Sequence, residues 1–137
     1  NLKKIQKRRE IVSKKYHELT SKHQNFLYSY FPPKNIKSAW YRFYFFLKKD
    51  VKNYKNTRIK IIKNLKNNNM ICNTGSCPEI YLEKSFKKLL NFKFQRLTNA
   101  KTLGETSIAL DINHTLTPSQ NKKNFLIFKK VLEKFLK

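Results

Sequence analysis

Ile71-Cys72-Asn73-Thr74-Gly75-Ser76-Cys77-Pro78 is the sharpest break in a lysine-rich chain, holding both cysteines, one of two glycines and one of four prolines. Asn67-Asn68-Asn69 leads into it. Asn and Gly tolerate left-handed dihedrals and Pro fixes φ, so residues 67 to 78 read as a compact turn. The turn joins a basic helical region over 1–66 to a shorter region over 67–108, and residues 109–137 read as a C-terminal extension ending in an amphipathic helix.

Working outward, the 137 residues are long enough for one ordinary domain. Thirty-one basic against eight acidic side chains give a formal charge of +23. Self-repulsion on that scale works against an isolated compact state, and a polyanionic partner would remove the penalty. A hydrophobic share of 39% and an aromatic share of 14% exclude a disordered polycation. Lys outnumbers Arg, and Asn, Ile, Phe and Tyr are plentiful, which are the residues of A- and T-rich codons; a compositionally biased genome such as an organelle's is expected. Two cysteines make no disulfide framework. The longest apolar run, Phe43 to Leu47, is far short of the ~20 residues a membrane span needs. Asn1-Leu2-Lys3-Lys4 has no signal-peptide core, so the protein is expected either to be made where it works or to have been processed already.

Before the turn, Leu2, Ile5, Val12, Tyr16, Leu19, His23 and Phe26 fall at helical spacing and predict one amphipathic helix from residue 2 to about 28. Lys3, Lys4, Lys7, Arg8, Arg9, Lys14 and Lys15 occupy its other faces as candidate phosphate contacts, too rarely matched by acids for a coiled coil. Pro32-Pro33 interrupts the chain. Ile36 to Leu47 then reads as a second helix, between about Asn35 and Lys49, with aromatics all round it. From Val51 to Pro78 there is no acid, and Lys55, Arg58, Lys60, Lys63 and Lys66 alternate with Ile59, Ile61, Ile62 and Leu65. A helix from about Thr57 to Asn67 would bury the apolar set and turn the cations toward RNA; a β-branched strand is the other reading.

Beyond the turn, Tyr81, Leu82, Phe86, Leu89 and Leu90 have helical spacing, and Phe92, Phe94 and Leu97 continue the apolar pattern. Thr98 to Thr106 is polar around Gly104. Thr117 as N-cap, Pro118 at the first helical position and Gln120 completing a capping box predict a last helix. Its stripe of Phe125, Phe128, Leu132 and Phe135 is a candidate partner-docking face.

Lys7 to Tyr16, then Cys72-Asn73-Thr74-Gly75 with Tyr81 and Phe86 downstream, and Leu103-Gly104, together resemble the small-subunit ribosomal protein fourteen family in its longer bacterial and organellar form. The likeness covers roughly residues 3 to 108, with Ser76 where the family carries arginine and no proline between Leu103 and Gly104. The resemblance implies a mostly α fold: extended basic helices joined by the Cys/Gly turn, with little independent core, folding on ribosomal RNA. It implies a structural constituent of the small ribosomal subunit head, supporting translation on mitochondrial ribosomes in the matrix, with neighbouring ribosomal proteins as partners. Asn73, Thr74 and Gly75 would let backbone amides approach the RNA. Some members bind zinc through two CxxC pairs, but Cys72 and Cys77 are spaced CxxxxC without a second pair, so no metal and no cofactor are expected.

The residues leave other readings open. One is a non-ribosomal scaffold subunit of an organellar complex, using the last helix and the aromatic stretch as interfaces. Others are a peripheral membrane protein and a DNA-compacting protein. No Gly-rich phosphate loop, HExxH or carboxylate pair is present, so no enzyme is expected. The isolated chain is expected to fold only partly.

Overall fold

Six consecutive residues, Arg42 to Leu47, set the architecture, because Phe43, Phe45 and Leu47 are buried while Arg42, Tyr44 and Phe46 between them are half-exposed. That period of two belongs to a strand, and aromatics suit a pleated surface. The expected helix between Asn35 and Lys49 is therefore corrected to a strand: both phases of the alternation are aromatic, which hides the period in the sequence.

The computed structural model describes residues 1–89 and 95–136. Along it run α1 (Leu2–Ser21), β1 (Leu27–Ser29), β2 (Arg42–Leu47), α2 (Tyr54–Asn67), β3 (Cys72–Asn73), a 3₁₀ turn (Ile80–Leu82), α3 (Lys84–Leu89), α4 (Thr98–Thr106), β4 (Ser107–Asp111) and α5 (Pro118–Phe135). The strands form one antiparallel sheet in the order β1-β2-β4-β3. Register is fixed by pairs such as Leu27 with Leu47, Phe45 with Ile108, and Cys72 with Leu110. Each of these pairs points buried side chains to one face, so a slip of one residue would turn the core outward.

On that face α1, α2 and α5 contribute to the core. Tyr16 meets Phe128 edge-on at 5.2 Å, Phe128 meets Phe45 at 5.3 Å, and Tyr16 meets Phe43 at 5.8 Å. Ile61 and Leu65 of α2 are fully buried in the same cluster. The opposite face of β1 and β2 carries a row of stacked rings, Tyr28 on Phe46 and Phe46 on Tyr44, at 5.0 and 6.5 Å.

A mostly α, extended protein with little core of its own, folding on RNA, is thus corrected to an α/β fold around a buried sheet. The first helix stops at Ser21 rather than about 28: Lys22 N–H turns back to Leu19 and His23 N–H to Thr20, and the chain then enters β1. Ser107-Ile108-Ala109-Leu110, part of no expected element, is buried throughout as an inner strand. Thr98 to Thr106, read as merely polar, is helical. The turn over 67–78 contains a strand, β3. The helix expected from about Thr57 forms from Tyr54 as α2, and the last helix carries the expected capping box, Gln120 N–H donating to Thr117 Oγ1 at 3.2 Å. The expected apolar continuation at Leu90, Phe92 and Phe94 lies outside the described residues.

Candidate functional site

At the end of β3 the chain makes an Asx turn: Gly75 N–H donates to Asn73 Oδ1 at 2.7 Å. Gly75 sits at φ +92°, a left-handed conformation, and a Cβ there would stand 2.8 Å from the Tyr44 ring. Ser107 Oγ donates to Thr74 O at 2.6 Å, tying the turn to β4. Pro78 then packs on α4 at Gly104, where a Cβ would come within 2.3 Å of the proline ring. The loop is held by β2 through Tyr44, by β4 through Ser107 and by α4 through Gly104.

That support presents a polar cluster. Arg96 clamps Glu79 with two parallel hydrogen bonds of 2.9 Å, the fork geometry that suits guanidinium to carboxylate. Tyr81 Oη also donates to Glu79, at 2.9 Å, and accepts Leu97 N–H at 2.9 Å. The Arg96 hydrogen bonds push the Glu79 carboxyl down to about 2, keeping it ionised. Nearby, Cys77 Sγ lies 3.3 Å from Glu83 Oε1 and donates to it. Its hydrogen bond to that carboxylate raises the thiol pKa, so this exposed sulfur stays protonated. Cys72 is buried, its Sγ 3.6 Å from Ile62 O, and burial pushes its thiol up as well. Neither cysteine is prepared as a nucleophile. Among the described residues no cluster of His, Cys, Asp and Glu is arranged to hold a metal ion.

The cations singled out from sequence fall into different environments. Lys3, Lys4, Lys7 and Lys14 are exposed along α1, and Lys60, Lys63 and Lys66 along α2. Arg8, Arg9 and Lys15 line a groove beside α5. Lys55 pairs with Glu105 at 3.2 Å. Arg58 turns inward, donating to Ser107 O at 2.8 Å and Glu105 O at 3.1 Å, so it satisfies carbonyls where α4 ends. Asn73, Thr74 and Gly75 are spent on the turn itself, through the Gly75 N–H and Ser107 contacts. Of the stripe on α5, Phe128 and Leu132 are fully buried in the protein's own core, while Phe125 and Phe135 pack at its margin. Sequence reasoning gave Glu79 and Arg96 no role in a site and took Tyr81 as a helix-face residue and as part of the ribosomal likeness. With eight acids in the chain, a carboxylate next to Pro78 in the one sharp turn was the available signal.

The model of the DegT/DnrJ/EryC1/StrS aminotransferase family matches residues 1–125. No curated protein matches the sequence. Among solved structures, the chain is similar to an aminotransferase from Psychrobacter cryohalolentis, with a TM-score of 0.79 and 24% identity over 95% of this chain and 35% of that one. It is similar to Helicobacter pylori PseC, an aminotransferase involved in pseudoaminic acid biosynthesis, with a TM-score of 0.74 and 17% identity over 95% and 33%. E. coli GDP-4-keto-6-deoxy-D-mannose-3-dehydratase with bound hydrated PLP follows, with a TM-score of 0.71 and 14% identity over 91% and 31%. The chain therefore spans about a third of the length of these structures.

These matches overturn the expectation of a structural role in the small ribosomal subunit, with ribosomal RNA and ribosomal proteins as partners, and with it the scaffold alternative and the expectation of no enzyme. A basic amphipathic helix and a Cys-Asn-Thr-Gly turn recur in unrelated folds, since the first needs only helical spacing and the second only residues that accept positive φ. Their order along this chain misled because the inner strand β4 and the strand phase of β2 were unread.

Proposed function

Since the chain belongs to the DegT/DnrJ/EryC1/StrS aminotransferase family, we propose that it forms part of an enzyme that transfers an amino group to the keto carbon of a small, sugar-like molecule. The match of the family model over residues 1–125 carries this reading. The structural neighbours support the substrate class, one acting in the biosynthesis of an acidic sugar and another on a nucleotide-linked keto sugar.

The chain's own residues suit a substrate-holding part. Glu79 kept ionised, Arg96 kept charged and the Tyr81 hydroxyl aimed at the same carboxylate form a pre-ordered polar group on a braced loop. Such a group binds and orients hydroxyl-bearing ligands without reorganising. Pyridoxal phosphate, present in one neighbour, requires a desolvated lysine amine to anchor it. No described lysine of this chain is buried. The described residues do not fit that anchor.

The test is an assay of the protein, purified with any sequence that flanks these residues in its source, on nucleotide-linked keto sugars with glutamate as amino donor. Formation of the amino sugar together with 2-oxoglutarate, followed by mass spectrometry, is the expected result. Loss of the sugar hydroxyl without amino transfer would replace transamination with dehydration, the chemistry of one neighbour. No turnover of any keto sugar by the folded protein would overturn the reading.

A further inference from the structure

Residues 112–117 form a strap between β4 and α5 and line, with α1, a groove of about 800 Å³. The ends of the strap are fixed. Ile112 is buried and its N–H donates to Tyr41 O at 3.0 Å, while Thr117 caps α5 through Gln120. Asn113 Oδ1 accepts from Thr115 N–H at 2.9 Å and from Thr115 Oγ1 at 2.8 Å, so the turn between the ends is built from the strap's own atoms. A tie across to α1 runs from His114, whose Nδ1 meets an arm of the Arg9 guanidinium at 3.4 Å.

The donor decides the protonation state. A guanidinium has donors only, so His114 Nδ1 must be the bare nitrogen of a neutral ring. A second proton would fill the accepting lone pair and set N–H against N–H. It would also add a charge to a groove that already carries Arg8, Arg9 and Lys15 from α1 and Lys122 from α5, with no Asp or Glu among its lining residues. Tyr16, which also lines the groove, is pushed up to about 12 by burial and stays neutral. Asp111, at the end of β4, is already paired with Arg42 of β2 at 3.4 Å. Arg9 Nε is shielded from solvent without a hydrogen-bond partner, a cost the closed strap carries even before the Nδ1 bond is lost. His17 is wired the other way. Thr20 Oγ1 gives its proton to His17 O at 2.9 Å, so Ser29 Oγ donates to Thr20 at 2.6 Å and accepts from His17 Nδ1 at 2.7 Å. That nitrogen carries a proton in either charge state, and charging the ring breaks no bond. His23 shares a second groove with Glu18 and Glu133, where an added charge meets acids.

We propose that His114 is a pH-sensitive latch: neutral, it holds the strap on α1, and protonated, it releases the strap and opens the groove. Imidazoles ordinarily change charge between about pH 5 and 8. The tie is therefore made near neutral pH and lost as pH falls through that range, above the range in which Glu79 titrates. The latch is separate from the Glu79 cluster and does not depend on amino transfer.

Hydrogen-exchange mass spectrometry at about pH 7.5 and about pH 5.5, corrected for the intrinsic pH dependence of amide exchange, reads the latch in peptides spanning 112–117. On acidification their protection should fall by about threefold to tenfold, the upper figure being the limit one unit below an ordinary imidazole value of about 6.5. Peptides of β2 should keep theirs. His114→Gln retains an acceptor for Arg9 and does not titrate, so it should abolish the fall, whereas His17→Gln should leave it in place. Should circular dichroism report His114→Gln unfolded, Arg9→Gln takes its place: its amide donates to the neutral ring and accepts from the charged one, so the fall should again vanish. Nitrogen NMR of the wild-type ring gives a second reading, with His114 Nδ1 bare at the higher pH. A fall that survives the substitution or is shared equally by β2 would overturn the proposal. So would protection that does not change with pH, or a proton on Nδ1 at the higher pH.

Discussion

Gly75 shows how one residue couples conformation to packing. Its φ of +92° is strained for any side chain, and the Tyr44 ring occupies the space a Cβ would need. Gly75→Ala should lower stability by about 1–3 kcal/mol in urea denaturation, and Tyr44→Ala should recover only the packing share. Glu79 makes a pH prediction. Its folded pKa of about 2 lies below the ordinary 4.5, so the unfolded chain binds the proton more readily between those values. Its contribution to stability is therefore complete above pH 4.5 and is lost as pH falls toward 2. Glu79→Gln should flatten that part of the stability-versus-pH curve, and an unchanged slope would assign the acid sensitivity to other carboxylates. The turn that carries Gly75 and leads into Glu79 was visible in the sequence, because Asn-Thr-Gly and Pro name their own backbone preferences. Arg96 as the partner of Glu79 was not, since nothing local joins two residues 17 positions apart.

Helices were easier to read than strands. Thr117, Pro118 and Gln120 state the start of α5 in chemistry confined to four residues, and the structure forms that box. β2 and β4 carry no comparable punctuation: one is aromatic in both phases, the other a short run buried on both sides. What makes them strands is pairing across more than sixty residues, as between Arg42 and Asp111. Helix α4 supplies the test at this scale. Replacing a glycine inside a helix with alanine ordinarily gains up to about 1 kcal/mol. At Gly104 the added carbon would lie 2.3 Å from the Pro78 ring, which cannot rotate away, so overpacking of about 1–3 kcal/mol should win. Gly104→Ala is expected to lower the melting temperature, and a double-mutant cycle with Pro78→Gly should reveal coupling between the two sites. Additive effects would mean that the loop and α4 are not pressed together.

At the scale of the whole molecule, a net charge of +23 and an aromatic core pull in opposite directions. The charge was plain in the sequence and suggested dependence on RNA. The core was hidden, because its members come from distant segments: Tyr16, Phe43, Ile61, Leu110 and Phe128 meet only when the sheet closes. RNA-free protein should therefore unfold cooperatively on heating. Its melting temperature should rise as salt is added from about 10 mM to about 150 mM, which shortens the screening length from roughly 30 to 8 Å. A non-cooperative melt would restore the partly folded picture, and a salt-independent midpoint would show that the cations are already far enough apart.

β4 lies between β2 and β3 in space yet follows both in the chain. During synthesis β1 can pair with β2 at once, but β3 emerges with no strand to join, since β2 has no ladder to β3 until residues 107–111 arrive. A growing chain thus leaves the edge of β2 that bears Phe43 and Phe45 unpaired until residues 107–111 are made. Rapid addition of residues 107–111 favours the native sheet, and a pause before them lengthens the interval in which a chaperone must shield those rings.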